Sequence, residues 1–230
     1  MRPSTSETRA HPRHVGIVMD GNRRWARAAG HLDPRVGHRV GAEHLERFLG
    51  WCAGLGIEHV TAYVLSADNI RKRPEAEVAN LLDLLATTIP RVLTRPDQPW
   101  RVHVSGDRSL LDERARRALA EAERATADRA SHLTLAIAYD GRQDIVEGIR
   151  RSVALLDGRA PTVEEITAAL PGGPVKEIDL VIRTSGEQRL SGFFPWQSVG
   201  AEIYSSERFW PAFSEADLAA ALAFYADRRR

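Results

Sequence analysis

The sequence predicts an α/β fold: a single domain with a central, mainly parallel sheet of about six strands flanked by helices. Three observations predict it. Short apolar, β-branched runs alternate with helical patterns, the order that gives parallel strands joined by right-handed crossovers. The runs are too uniform for half-exposed strands; His59 to Leu65 (HVTAYVL) reads as buried on both faces. Residues suited to binding anions follow directly after strands, where open α/β sheets collect their ligands.

Residues 1–13 are polar and read as a disordered lead-in, so the domain is expected to span 14–230. His14 to Met19 forms the first strand. A long helix runs to about Gly54, with Phe48, Leu49, Trp51, Cys52 and Leu55 on its apolar face and Gly54 and Gly56 ending it. After His59 to Leu65 comes a loop, Ser66 to Arg73. Pro74 then opens a helix from Glu75 to about Leu93. Arg101 to Ser105 is a short strand, and Ser109 or Asp112 caps a helix to about Ala127. His132 to Tyr139 is another buried strand, Gly141 to Leu156 a helix and Pro161 to Leu170 a shorter one. Pro171-Gly172-Gly173-Pro174 is the clear breaker. Asp179 to Thr184 and Ala201 to Ser205 are strands, and Ser214 caps a final helix to Arg230.

Composition narrows the class. With 32 basic and 31 acidic residues, net charge is +1, which does not ask for nucleic acid. The single cysteine, Cys52, cannot form an internal disulfide; it reads as a helix-packing residue and fits a cytoplasmic setting. No apolar run approaches the ~20 residues of a membrane-spanning helix, and the start lacks the apolar core of a signal peptide. The eight histidines show no metal-ligand spacing and read mostly as surface residues.

The most informative stretch is HVGIVMDGNRRWARAAG, His14 to Gly30. Its strand ends at Asp20-Gly21-Asn22, and a helix opens with Arg23-Arg24-Trp25. A carboxylate at the strand end, a glycine that admits close backbone approach, free N–H groups and two arginines together suit a diphosphate held with Mg²⁺. The same residues also describe an ordinary βα turn with a solvated basic helix start. A second block is Asp179 to Glu202 (DLVIRTSGEQRLSGFFPWQSVGAE), about 160 residues further on.

Together the two blocks resemble the N- and C-terminal signatures of the cis-prenyltransferases, the undecaprenyl diphosphate synthase family, in the family's order. The likeness extends from His14 to Arg229. It implies that Asp20 binds Mg²⁺ on the diphosphate, that Gly21, Asn22, Arg23 and Arg24 cradle an allylic diphosphate, and that Arg35 and His38 contact it too. Ser66-Ala67-Asp68-Asn69 resembles a family loop of the form Ser-x-Glu/Asp-Asn. That makes Ser66 and Asn69 catalytic, with Asn69 near the reacting carbons. Arg73 is the best placed of Arg71-Lys72-Arg73 for a phosphate, and Glu77 matches an acidic position. Arg183, Arg189 and Ser191 fit the site for the diphosphate of a second, five-carbon substrate. Glu202 matches a second acidic position linked to Mg²⁺, supplied in some members by the partner subunit. Glu187 is expected to pair with an arginine and Trp25 to pack under the turn. Leu65, Leu85, Ile89, Leu135 and Ile137 are expected to wall an apolar tunnel.

The resemblance thus implies a homodimeric, Mg²⁺-dependent short-chain prenyl diphosphate synthase. It would join dimethylallyl or geranyl diphosphate to a second C5 prenyl diphosphate. The join is either cis head-to-tail addition of isopentenyl diphosphate or irregular, lavandulyl-type head-to-middle condensation with dimethylallyl diphosphate. An inactive partner subunit is the alternative. The chain departs from the family pattern at Ala136 to Arg142, at Phe193-Phe194-Pro195-Trp196-Gln197, at Gly200 and in the short link from Pro161 to Asp179. Pro195 and Gly200 are expected to alter backbone freedom beside the second-substrate site, and Phe-Phe-Pro resembles the irregular branch.

Overall fold

The structure, a computed structural model, describes residues 11–156 and 158–229. The lead-in expected over residues 1–13 therefore lies mostly outside the described residues. Its last member, Arg13, is already held: its N–H donates to Asp179 Oδ2 at 2.8 Å and its Nε to Glu58 at 3.1 Å.

Chain order is β1 (His14–Val18), α1 (Asn22–Ala28), α2 (Arg35–Gly54), β2 (His59–Ser66), α3 (Ala67–Lys72), α4 (Glu75–Ala86), α5 (Thr88–Leu93) and β3 (Trp100–Ser105). It continues with α6 (Glu113–Ala125), β4 (Ser131–Tyr139), α7 (Gly141–Ala154), α8 (Val163–Ala169), β5 (Leu180–Thr184), β6 (Glu202–Ser206) and α9 (Glu215–Arg228). The six strands form one sheet in the order β3-β4-β2-β1-β5-β6, and every pairing is parallel. A parallel sheet needs cover on both faces, which is why its strands lack polar alternation. Val15, Ile17, Leu180 and Ile182 pack into the larger core with Leu45, Phe48 and Leu49 of α2. The alternate residues Val18 and Val181 face a second cluster built on Tyr139, Phe193 and Phe194.

Two elements differ from the sequence expectation. The segment after β2 is not a loop but the short helix α3. Ser66 Oγ accepts the Asn69 N–H at 3.0 Å and so satisfies one orphan donor of its first turn. The helix expected from Glu75 to Leu93 is broken at Thr87 (φ −123°, ψ −64°). Pro90 explains the break: in a continuous helix it would lack the N–H owed to Ala86, and its ring would strike that carbonyl. Asp112, not Ser109, caps α6, accepting from Ala115 N–H. Cys52 is fully buried on α2, and burial pushes its thiol pKa up.

The histidines are the larger surprise. His14, His38, His44 and His59 are buried. His14, His59 and His132 occupy the same register on adjacent strands at the amino ends of β1, β2 and β4. His59 and His132 stack with centroids 5.1 Å apart, and His103 Nε2 lies 2.9 Å from His132 Nδ1. Stacked rings 5 to 6 Å apart cannot all carry charge. Burial, reinforced by the neighbouring histidines, lowers His14 to about 3 and His59 and His103 to about 4, from an ordinary value of 6.5. The unfolded chain binds these protons near pH 6.5 and the folded chain does not. Stability is therefore complete above that pH and slopes downward as pH drops from about 6.5 toward 4. Urea titrations across this window should show that slope, and His132→Gln should make it shallower.

Candidate functional site

The sheet topology says where to look. From β1 the chain passes to β2 on one side, whereas from β5 it passes to β6 on the other. Neighbours whose onward connections diverge leave a crevice at their carboxyl ends, the ligand position of open α/β sheets. Asp20 follows β1, and Arg183 is the next-to-last residue of β5.

The two strand ends are stitched together. Thr184 Oγ1 accepts the Asp20 N–H at 2.9 Å and lies 2.7 Å from the Asp20 carbonyl. Trp210 N–H donates to that carbonyl from the far side at 3.0 Å. Gly21 then turns the chain into α1 with φ 99°, and a Cβ there would stand 2.8 Å from the Phe209 ring. Its N–H donates to Asp20 Oδ1 at 2.7 Å, which fixes the carboxylate's rotamer.

Arg183 is buried, and both of its terminal nitrogens are committed. Nη2 donates to Asp20 Oδ2 at 2.8 Å, while Nη1 donates to Ser191 Oγ at 2.8 Å and to the Arg189 carbonyl. Its Nε, also buried, has no partner among the described residues. On the other side of Asp20, Arg24 lies 3.6 Å from its carboxylate and donates to Ser185 Oγ at 2.5 Å. Ser185 and Ser191 both adopt positive φ (77° and 50°), strained for residues with a side chain. Glu187 pairs with Arg24 and Arg189, the arginine-partner role expected of it.

A pocket of about 590 Å³ opens over this crevice, within the usual range for a small-molecule site. It brings together Asp20, Gly21, Asn22, Arg23, Arg24 and His38 from the first half of the chain, with Ser66, Asn69 and Arg73 beside them. Arg183, Arg189 and Ser191 close it from β5 onward. Its deep wall is apolar: Val64, Leu65, Leu81, Leu84, Leu85 and Ile89. Leu135 and Ile137, expected on that wall, are fully buried core residues instead, because β4 is covered on both faces. Glu77 stands behind the pocket and pairs with Arg73 at 2.8 Å and Arg23 at 3.5 Å, with His38 Nε2 at 3.7 Å. Burial and the Arg73 charge lower His38 to about 4, so it is neutral near pH 7 in this arrangement.

Other expected residues fall elsewhere. Arg35 lies outside the pocket, exposed and held on Asp33 by Nε at 2.8 Å. Glu202 opens β6, at the amino end of the sheet, whereas Asp20 lies at the carboxyl end. Trp25 is half-buried and packs against the His31 ring. Pro195 and Gly200 do not line the pocket. Pro195 abuts Gly141, where a Cβ would come within 2.6 Å of the proline ring, so two departures from the family pattern are packed against each other. Behind them, buried Asp144 accepts from Ser105, Tyr139 and Gln197 and anchors the 193–197 segment to β3, β4 and α7.

Arg27 and Tyr63 are among the pocket residues that sequence reading missed. Arg27 shares the face of Arg23 and Arg24 one turn on, a signal that helical spacing alone could have given. Tyr63 enters through the register irregularity between Tyr63 and Leu65, which no pattern in β2 announces. Its hydroxyl lies 3.4 Å from the Ser191 carbonyl, and burial raises it to about 12, so it stays a neutral donor.

Among the described residues no group of three or more acidic, histidine or cysteine side chains is placed to hold a metal. One carboxylate in a basic crevice fits Mg²⁺ of the kind whose remaining ligands are phosphate oxygens and water. No described helix is long and apolar enough to cross a membrane.

Comparison with known proteins agrees with this geometry. The family described as "Putative undecaprenyl diphosphate synthase" matches residues 18–230. An isoprenyl transferase of Streptomyces fradiae is 42% identical over 95% of this chain and 89% of its own. The (2Z,6E)-farnesyl diphosphate synthase of Mycolicibacterium smegmatis is 40% identical over 95% and 87%. The crystal structure of lavandulyl diphosphate synthase from Lavandula x intermedia, in complex with dimethylallyl diphosphate, superimposes with a TM-score of 0.85 at 33% identity, covering 94% of this chain and 96% of that one. A pocket with basic clusters flanking one aspartate at the sheet's switch point, together with this likeness along nearly the whole chain, places the protein among the prenyltransferases, in the undecaprenyl diphosphate synthase family.

Proposed function

We propose that this enzyme joins an allylic diphosphate, dimethylallyl or geranyl, to isopentenyl diphosphate by cis head-to-tail addition, and releases a short prenyl diphosphate. The observation that carries the reading is the pair of cationic clusters on either side of Asp20, above one apolar wall. Two diphosphates need two such clusters, and a prenyl chain needs the wall. The 40% identity to a Z-farnesyl diphosphate synthase supports the head-to-tail mode. The likeness to lavandulyl diphosphate synthase and the Phe193-Phe194-Pro195 sequence favour a second reading, irregular condensation of two dimethylallyl units. An inactive partner subunit would have no use for both clusters.

In this reading the allylic diphosphate lies on the amino end of α1, against Gly21, Asn22, Arg23 and Arg24, with His38 and Arg73 beside it. Arg183, Arg189 and Ser191 hold the second diphosphate. Guanidinium forks fix phosphate oxygens in orientation as well as charge, which brings the allylic carbon and the second double bond to reacting distance. When bound, Mg²⁺ supplies positive charge to the departing diphosphate, and Asp20 is the residue that would hold it. Arginines already fixed in place stabilise the same developing charge without reorganisation. The new carbon–carbon bond forms as the allylic carbon–oxygen bond breaks, and a proton leaves the second unit. Asn69, presented by α3 at the pocket, is placed to orient that unit. Glu202, at the opposite end of the sheet, would reach a metal only from the second subunit of a homodimer. The setting is cytoplasmic in this reading.

Asp20→Ala should lower kcat at least ~10³-fold, because it removes the carboxylate that would hold Mg²⁺ where negative charge develops on the departing diphosphate. Comparable turnover in the mutant would remove Asp20 from the mechanism. Arg189→Ala should raise KM for the second substrate about tenfold with a smaller change in kcat. A shift confined to the allylic donor would exchange the two clusters. The test of the whole reading is incubation with Mg²⁺ and dimethylallyl or geranyl diphosphate, with and without isopentenyl diphosphate, followed by dephosphorylation and gas chromatography–mass spectrometry. Linear cis alcohols that require isopentenyl diphosphate are expected. Branched alcohols formed without it would establish the irregular mode, and no product would leave the partner-subunit reading.

A further inference from the structure

Six arginines line the pocket: Arg23, Arg24, Arg27, Arg73, Arg183 and Arg189. Five of them are spoken for by carboxylates. Arg23 and Arg73 share Glu77, Arg24 lies between Asp20 and Glu187, Arg183 holds Asp20, and Arg189 holds Glu187. Arg27 alone has no ion-pair or hydrogen-bond partner for its side chain among the described residues. An anion arriving at the other five must compete with a carboxylate already in place. At Arg27 it displaces only water.

Arg27 is also in the right place. Arg23, Arg24 and Arg27 stand three and four residues apart and so share one face of α1. Arg27 extends the cationic row by about one turn beyond Arg23 and Arg24, farther from Asp20. Arg35 is the opposite case. It is exposed, outside the pocket, and its Nε, Nη2 and backbone N–H are all bound to the Asp33 carboxylate.

We propose that Arg27, not Arg35, supplies the outermost cation of the allylic-diphosphate site and binds the terminal phosphate, the one farther from the reacting carbon. The assignment rests on the reading of the two clusters given above. The competing role for Arg27 is purely local: a cation in the last turn of α1 complements the helix's carboxyl end and would affect stability alone.

The experiment compares the wild type with Arg27→Gln, Arg27→Lys and Arg35→Gln, after matched melting curves confirm that each is folded. Two readouts are needed: calorimetric affinity for inorganic diphosphate, which requires no turnover, and KM for geranyl and isopentenyl diphosphates. Arg27→Gln is expected to weaken diphosphate binding and raise KM for geranyl diphosphate about tenfold, the size of one lost charged hydrogen-bond pair. Its KM for isopentenyl diphosphate should stay within about twofold, and the deficit should narrow with added salt, because the side chain is exposed. Arg27→Lys, which keeps the charge and loses the fork, should fall between. Arg35→Gln should match the wild type. Wild-type behaviour in Arg27→Gln, equal KM shifts for both substrates, or a loss that appears in Arg35→Gln instead would each overturn the assignment. If the wild type binds inorganic diphosphate but forms no product, the reaction assigned above is wrong, while the calorimetric comparison still decides the role of Arg27.

Discussion

The ion pair between Asp20 and Arg183 is the constraint on which the site depends. It joins residues 163 positions apart, from the ends of two neighbouring strands, across the one crevice where the sheet's connections diverge. Arg183 is nearly buried, so its charge needs a partner, and Asp20 is placed to be one. The same guanidinium holds Ser191 and the Arg189 carbonyl, which brings the second cluster into line. Asp20 also faces Arg24 at the head of α1. One carboxylate thus sets the spacing between two cationic groups, and, in the function proposed above, the distance between the two diphosphates they would hold.

Around that pair the molecule divides its labour by sheet face. The larger core, under α2, α4 and α5, is apolar and continuous with the pocket wall at Leu85 and Ile89. The smaller cluster is built on Tyr139, Phe193 and Phe194, and beside it lies one buried acid, Asp144, with three side-chain donors. Burial raises the Asp144 pKa while those hydrogen bonds oppose the rise. A buried carboxylate answered by three donors fixes geometry rather than adding much net stability, and here it fixes the segment that follows Ser191.

Much of this was legible in the sequence, for identifiable reasons. Strand and helix positions followed from uniform apolar runs and from caps such as Asp112 and Ser214. The site was legible where it is local: Asp20 to Arg24 form one turn, and Arg183, Arg189 and Ser191 one loop. What the pattern hid was non-local. The break at Thr87 comes from Pro90, three residues later, which the apolar spacing of Glu75 to Leu93 does not register. The histidine ladder exists only because three strands share a register. Arg35 matched a motif but is captured by Asp33, two residues away, a competition that spacing does not reveal.

The strand order carries a consequence for how the chain is made. β1 ends as an interior strand, flanked by β2 and β5, yet β5 begins at Leu180. Through synthesis of the intervening residues, the half-sheet β3-β4-β2-β1 would expose the open side of β1, with Val15 and Ile17 on a bare hydrogen-bonding edge. Such an edge is a template for wrong partners, and parallel pairing across so long a separation is slow. The nascent protein is most exposed to aggregation in that interval, and closure of the edge by β5 is the event that also brings Arg183 to Asp20.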